Sequence, residues 1–294
     1  MDITIHNKFY NEILTLSHDE YPYLLHEDGV DWGVCEAEFS TVSDIKGYGE
    51  KETNVRFATR DISFEGYIVA DSGFTVEQLK KTLNRLINPL HELDITSNGY
   101  KITVKPQNSV QYSKKWTENN EVLCNFVIDF IAFYPFFKYK NDEIIKESEA
   151  KGTALFPLVI DQVKKKIFGR IPFYGVGNIN NDGDAYAGFT LTVLADTDKI
   201  QYLKGTNKTT GEAFNIPVGL EVGEQFVIST VTGDKFVKKV DVDGVEKDIT
   251  NMITKDSSFW QLQPGYNELD FESDNNYALK FTIKYSPSFM EVLQ

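Results

Sequence analysis

The run Phe133-Tyr134-Pro135-Phe136-Phe137 closes an alternating strand pattern near the middle of the chain and divides it in two. Proline lacks an N–H and cannot continue a central strand, so the ladder must end or bend at Pro135, with aromatic rings on both sides of the corner. An apolar hinge of this kind predicts two domains held in a fixed pose rather than joined by a floppy linker. The predicted boundaries are residues 1–138 and 139–294. A chain of 294 residues can supply one large or two medium domains.

The first part mixes strands with one helix. In Arg60-Asp61-Ile62-Ser63-Phe64-Glu65-Gly66-Tyr67-Ile68, Ile62, Phe64 and Ile68 share a face, and Gly66 marks a bulge or a close backbone approach. Thr75 is the expected N-cap of the helix, with Gln78 completing a capping box and Phe74 stapling Leu79. Val76, Leu79, Leu83, Leu86 and Leu90 fall on one helical face, and Asn88-Pro89 stops the helix. Lys80, Lys81 and Arg85 then form a solvated face. Tyr100 to Val104 alternates as a strand. Leu123 to Phe133 carries Phe126, Ile128 and Phe130 on one side and Val127 and Ile131 on the other. Apolar residues on both faces imply a strand covered twice, or one at a subunit contact. Asp129 inside it calls for an arginine or a backbone donor.

The second part is punctuated like an all-β sandwich. Phe189, Leu191 and Val193 alternate, as do Phe226 and Ile228, and Leu279, Phe281 and Ile283. Turn signals at 180–184, 207–212, 232–234 and 241–244 separate such stretches, which predicts two packed antiparallel sheets. Asn141 to Lys151 is charged and tolerant of helix. Lys164-Lys165-Lys166 reads as an exposed edge guarded by charge. The fold class expected is mainly β: an α+β first domain with one helix packed on a β-sandwich, followed by an antiparallel β-sandwich.

The formal charge of −14 disfavours binding to phosphate backbones or anionic lipid through a basic patch. No apolar run approaches bilayer length, and the first residues show neither a charged n-region nor an apolar h-region. Soluble synthesis in a cytoplasm is the expectation. Cys35 and Cys124 fit no metal spacing and read as core thiols. The histidines, His6, His18, His26 and His91, lack metal-ligand spacing. Asn178 to Gly183 imitates the start of a calcium loop, but Phe189 stands where the bidentate glutamate is required. Asp182 with Asp184, and Asp241 with Asp243, are candidate glycosidase pairs that sit in turn sequences. Trp260 and Tyr266 could stack on sugars, although an aromatic in an alternating strand more often belongs to a core. Neither nucleotide-binding glycine patterns nor a nucleophile elbow occurs: Gly175-Val176-Gly177 lacks the third glycine. No catalytic residue, metal ligand or cofactor site emerges.

The order of these motifs resembles the distal tail protein (Dit) family of long non-contractile phage tails. Arg60-x-Ile62-x-Phe64-x-Gly66-x-Ile68 resembles the family's early arginine-containing strand, and Val76–Ile87 before Asn88-Pro89-Leu90 resembles its short helix. Phe133-Tyr134-Pro135-Phe136 resembles its domain-ending signature. Asn181-Asp182-Gly183-Asp184, Asn207-x-x-Thr210-Gly211-Glu212, Gly223-Glu224-x-Phe226-x-Ile228, Asp256-Ser257-Ser258-Phe259-x-x-Leu262 and Pro264-Gly265-x-Asn267 follow in that family's order.

The resemblance implies a non-enzymatic virion protein of a siphovirus. It implies a homo-hexameric hub ring, built by the first domain, that joins tail tube protein to the tail-tip or tail-associated lysin protein and passes DNA. The second domain would be galectin-like or carbohydrate-module-like, with receptor-binding protein docking outside the ring. Phe126, Phe130, Phe133, Tyr134 and Phe136 are the expected oligomer or domain interface. The alternatives are a stand-alone carbohydrate-binding β-sandwich and a glycan-cleaving enzyme.

Overall fold

The structure, a computed structural model, describes residues 2–43, 47–70, 73–140, 144–147, 177–275 and 279–291. The chain forms two compact units, Met1–Asn141 with Phe289–Gln294, and Asp142–Ser288. The sequence predicts that residues 139–294 form the second domain. Phe289 instead belongs to the first unit, because it exchanges both backbone hydrogen bonds with Phe137, at 2.9 and 2.8 Å.

The first unit contains β1 (Asp2–Asn7), β2 (Glu12–Ser17), β3 (Tyr23–Asp31), β4 (Ala37–Ser43), β5 (Glu50–Phe57), β6 (Arg60–Val69), α1 (Val76–Leu86), β7 (Leu93–Ser97), β8 (Tyr100–Pro106), β9 (Gln111–Tyr112), β10 (Leu123–Ala132) and β11 (Lys138–Tyr139). Its main sheet runs β11-β8-β7-β1-β2-β3-β6-β10-β9. Lys105 and Pro106 at the end of β8 also pair with Ile131 and Phe130 of β10, so the circuit from β8 through β7, β1, β2, β3, β6 and β10 returns to β8. Closure of this kind removes most free edges. Period-2 alternation aims Ile3, Ile5, Leu14, Leu16, Ile62 and Phe64 into one core, with Ile102, Val104, Phe126, Ile128 and Phe130. Gly66 does mark a close approach. A Cβ there would lie 2.3 Å from the Leu24 carbonyl oxygen and 2.9 Å from the Phe126 ring.

Helix α1 starts where the capping box requires. The Gln78 amide donates to Thr75 Oγ1 at 3.3 Å, and the Thr75 amide donates to Gln78 Oε1 at 3.0 Å. Its buried stripe is Val76, Leu79, Leu83 and Leu86. Leu90, expected on that stripe, lies past the helix end and is 83% exposed, and Phe74 is exposed as well. Three strand side chains tie the helix down: Tyr23 Oη donates to Leu79 O at 3.0 Å, Tyr112 Oη to Lys80 O at 3.3 Å, and Asn7 Nδ2 to Leu86 O at 2.7 Å. Burial pushes the Tyr23 phenol up to about 12 and raises that of Tyr112.

The second unit contains β12 (Ile144–Glu147), β13 (Asn178–Asn181), β14 (Phe189–Ala195), β15 (Leu203–Asn207), β16 (Glu212–Ile216), β17 (Gln225–Val231), β18 (Asp234–Val240), β19 (Glu246–Asp248), β20 (Gly265–Glu272) and β21 (Leu279–Tyr285). One sheet runs β12-β21-β14-β17-β18-β19 and the other β13-β20-β15-β16. Phe189, Leu191, Phe226, Ile228 and Phe281 from the first meet Ile179, Leu203, Phe214 and Phe271 from the second in one core. Both units are β-built, which bears out the expected mainly β class. The segment read as helix-tolerant supplies β12, whose residues pair with 282–285 of β21. Lys164-Lys165-Lys166 and the Gly175-Val176 dipeptide lie outside the described residues.

Candidate assembly surface

The structure separates the residues that the sequence grouped as an interface. Phe126 and Phe130 are fully buried in the core of the first unit, and Phe130 packs edge-on against Phe64 at 5.5 Å. They point into the barrel, so they cannot face another subunit without opening it. This corrects the expectation that they form an oligomer or domain interface: they are core residues. The β10 strand is apolar because the barrel closes over it. Phe136 is also buried, in contact with Tyr134 at 5.2 Å and with Phe57 at 5.1 Å. Phe133 is 67% exposed and Tyr134 half-buried. Asp129 takes neither an arginine nor a backbone donor. It accepts from Ser63 Oγ and from Gln111 Nε2, both at 2.9 Å.

The large uncovered surface lies elsewhere. Among the described residues, strands β4 and β5 pair only with each other, and all their residues are exposed. Phe39 sits opposite Val55 and Ala37 opposite Phe57, so these four share one face. The other face carries Glu38 and Arg56, ion-paired at 2.5 Å. Phe39 is 62% exposed. A two-stranded ribbon is at best marginally stable in water, and this one presents an apolar face to solvent. At the hairpin's base, Phe57 meets Phe136, which continues the apolar face toward Tyr134. Sequence reading passed over this element. The detectable signal was period-2 alternation in both arms, Ala37/Phe39 and Val55/Phe57, with charge between.

The remaining candidates resolve into structure. Asp241 accepts from the Asp243 and Val245 amides at 3.0 and 2.8 Å, as a turn residue does. Asp182 accepts from Asn180 Nδ2. The Tyr285 phenol is raised by burial, with the Asp182 charge adding to the effect. Among the described residues, no three His, Cys, Asp or Glu side chains converge as metal ligands. Trp260 is buried in the second core against Phe189 at 4.7 Å and offers no platform for a sugar, whereas Tyr266 is 52% exposed. Lys81 pairs with Glu77 at 3.4 Å and Arg85 with Glu12 at 2.5 Å on the outer side of α1. Both cysteines are free, Cys124 buried and Cys35 half-buried. No helix among the described residues is long and apolar enough to cross a membrane.

The second unit has the fold of a phage tail component: residues 182–289 match the family model SPP1_Dit, described as the siphovirus-type tail component, C-terminal domain. The resemblance to distal tail proteins is borne out over these residues, and the match supports a structural role in a phage tail and a place in the virion. The fold of the whole chain agrees. The crystal structure of SPP1 Dit (gp 19.1), described as a paradigm of the hub adsorption apparatus in phages infecting Gram-positive hosts, superposes with a TM-score of 0.65. That superposition covers 98% of this chain and 99% of that one at 13% identity. The phage P2 baseplate in its activated conformation with Ca superposes at a TM-score of 0.49 and 10% identity, covering 97% of each chain. Comparison with curated proteins gives no match.

Proposed function

We propose that this protein is a non-enzymatic hub of a siphophage tail tip, in which about six copies of the first unit close a ring. The ring would join the tail tube to tip and receptor-binding proteins and let DNA pass. The observation that carries this reading is the β4–β5 hairpin, an arm whose apolar face of Ala37, Phe39, Val55 and Phe57 stands exposed beyond the contact of Phe57 with Phe136 at its base. A neighbouring copy is the natural cover. A contact between the arm of one copy and a different surface of the next is heterologous, and such contacts make a ring when the rotation between copies closes. The net charge of −14 fits a conduit that DNA traverses without sticking. Receptor-binding proteins would dock on the second unit, which carries the matched tail-component domain.

Light scattering on the purified chain, alone and mixed with tail-tube and tip proteins, tests the reading. The expected mass is about six times 33.5 kDa. Phe39→Asp should return that mass to the single chain while circular dichroism stays unchanged. A chain that remains single at every concentration, and with every tail partner, contradicts the proposal.

A further inference from the structure

The chain leaves the first unit after Asn141 and re-enters it at Phe289. Beside the point of return lies a buried cation that, among the described residues, has no counter-ion. Arg60, at the start of β6, is 1% exposed. Among the described residues its guanidinium meets no carboxylate. It donates through Nη1 to the Trp32 carbonyl at 3.5 Å and through Nη2 to the Met290 carbonyl, and it lies 4.7 Å from the centre of the Phe137 ring. Its Nε has no partner. A buried arginine needs this kind of compensation, since removal of one acceptor leaves a desolvated charge. Two of its supports belong to the bridge that closes the insertion. Phe137 and Phe289 exchange their backbone hydrogen bonds, and Met290 follows Phe289 directly. Phe289 also packs on Tyr100 at 5.4 Å and on Tyr139 at 4.8 Å, covering the β8–β11 edge.

We propose that Phe289–Glu291 is a strap that locks the first unit, and that the buried Arg60 guanidinium couples the lock to the barrel. With the strap docked, the Met290 carbonyl and the Phe137 ring compensate the cation. With it undocked, the bridge partner of Phe137 is gone and the charge is left exposed to an apolar wall. The contact spans 230 residues of sequence. The strands β1 to β11 therefore precede the strap by the whole of the second unit, and the first unit reaches its final form only after that unit has been made. The strap thus acts as a completion lock on the first unit.

The test is a double-mutant cycle in the full chain, read by hydrogen exchange across β6, β8 and β11. Phe289→Asp undocks the strap, and Arg60→Met removes the charge at similar volume. Phe289→Asp alone should lower protection in those strands by about tenfold or more, and the same change in the Arg60→Met background should cost several-fold less. Equal losses in both backgrounds would overturn the coupling. If Phe289→Asp fails to fold alone but folds together with Arg60→Met, the coupling is supported. If it fails in both, Phe289→Ala replaces it in the cycle, and additive losses there overturn the proposal.

Discussion

Strand β10 and the hairpin β4–β5 both alternate apolar residues with period two, yet they have opposite fates. In β10 the faces carrying Phe126, Ile128 and Phe130 are sealed by the strand's own barrel. In the hairpin, the face carrying Phe39 and Phe57 is left open. The difference does not lie in local apolarity, which is greater in β10. It lies in closure: β10 has β6 on one side and, at its end, β8 on the other, whereas β4 has only β5. A strand rich in apolar side chains needs cover, but only the pairing pattern decides whether its own chain or another provides it.

The sharpest way to break this contrast is to swap the roles. Phe130→Ala opens a cavity in a sealed core and should lower the stability of the first unit by about 3–5 kcal/mol in urea unfolding, while folded material keeps its assembly state. Phe39→Asp should do the reverse, leaving stability within about 0.5 kcal/mol and abolishing assembly. If Phe130→Ala spares stability yet dissolves the oligomer, β10 is a subunit contact after all and the barrel reading fails.

A second test probes the wall through its helix. The Tyr23 phenol is raised by burial from 10.0 to about 12 while its hydroxyl donates to Leu79 O. A folded chain that holds its proton more tightly than the unfolded one is stabilised fully below pH 10. That stabilisation is lost as pH rises from about 10 to about 12, and the span is worth on the order of 2 kcal/mol. Tyr23→Phe should therefore be less stable than the parent at pH 8 by about 1 kcal/mol, for the lost hydrogen bond. The gap should shrink or reverse by pH 12. A gap that does not change with pH would show that the phenol is not held as the packing indicates.

Much of this wall was legible in the sequence, and the reasons are local. The capping box at Thr75 and the stripe Val76, Leu79, Leu83, Leu86 are short-range signals, and α1 follows them. The strand around Ile62 and Phe64 and the close approach at Gly66 were equally visible. The pairing of β8 with β10 was not, because no periodic pattern records which distant edges meet. The return of Phe289 to Phe137 was hidden for the same reason. Asp129 misled because a short hydroxyl and an amide, Ser63 and Gln111, do the work expected of a cation. Of the residues expected at an oligomer or domain interface, Phe133 is exposed and Tyr134 half-buried while Phe126 and Phe130 sit in the core, because apolarity along a strand does not record which side faces inward. The hairpin arms looked unremarkable because their apolar faces are short.

The smallest expected effect isolates α1 from the arm. Thr75 caps the helix through the Gln78 amide, and Gln78 returns the contact, so two of the free donors at the helix start are satisfied. Thr75→Ala removes the acceptor and should cost about 1 kcal/mol, whereas Thr75→Ser should cost a few tenths. The loss should spread beyond the helix, because Tyr23, Tyr112 and Asn7 all bind carbonyls of α1. Urea unfolding of the first unit should register it, and light scattering should not, since the cap lies on the barrel and not on the β4–β5 arm. A change in mass with Thr75→Ala but not with Phe39→Asp would move the assembly surface from the hairpin to the start of α1, where Trp116 and Val122 also stand exposed.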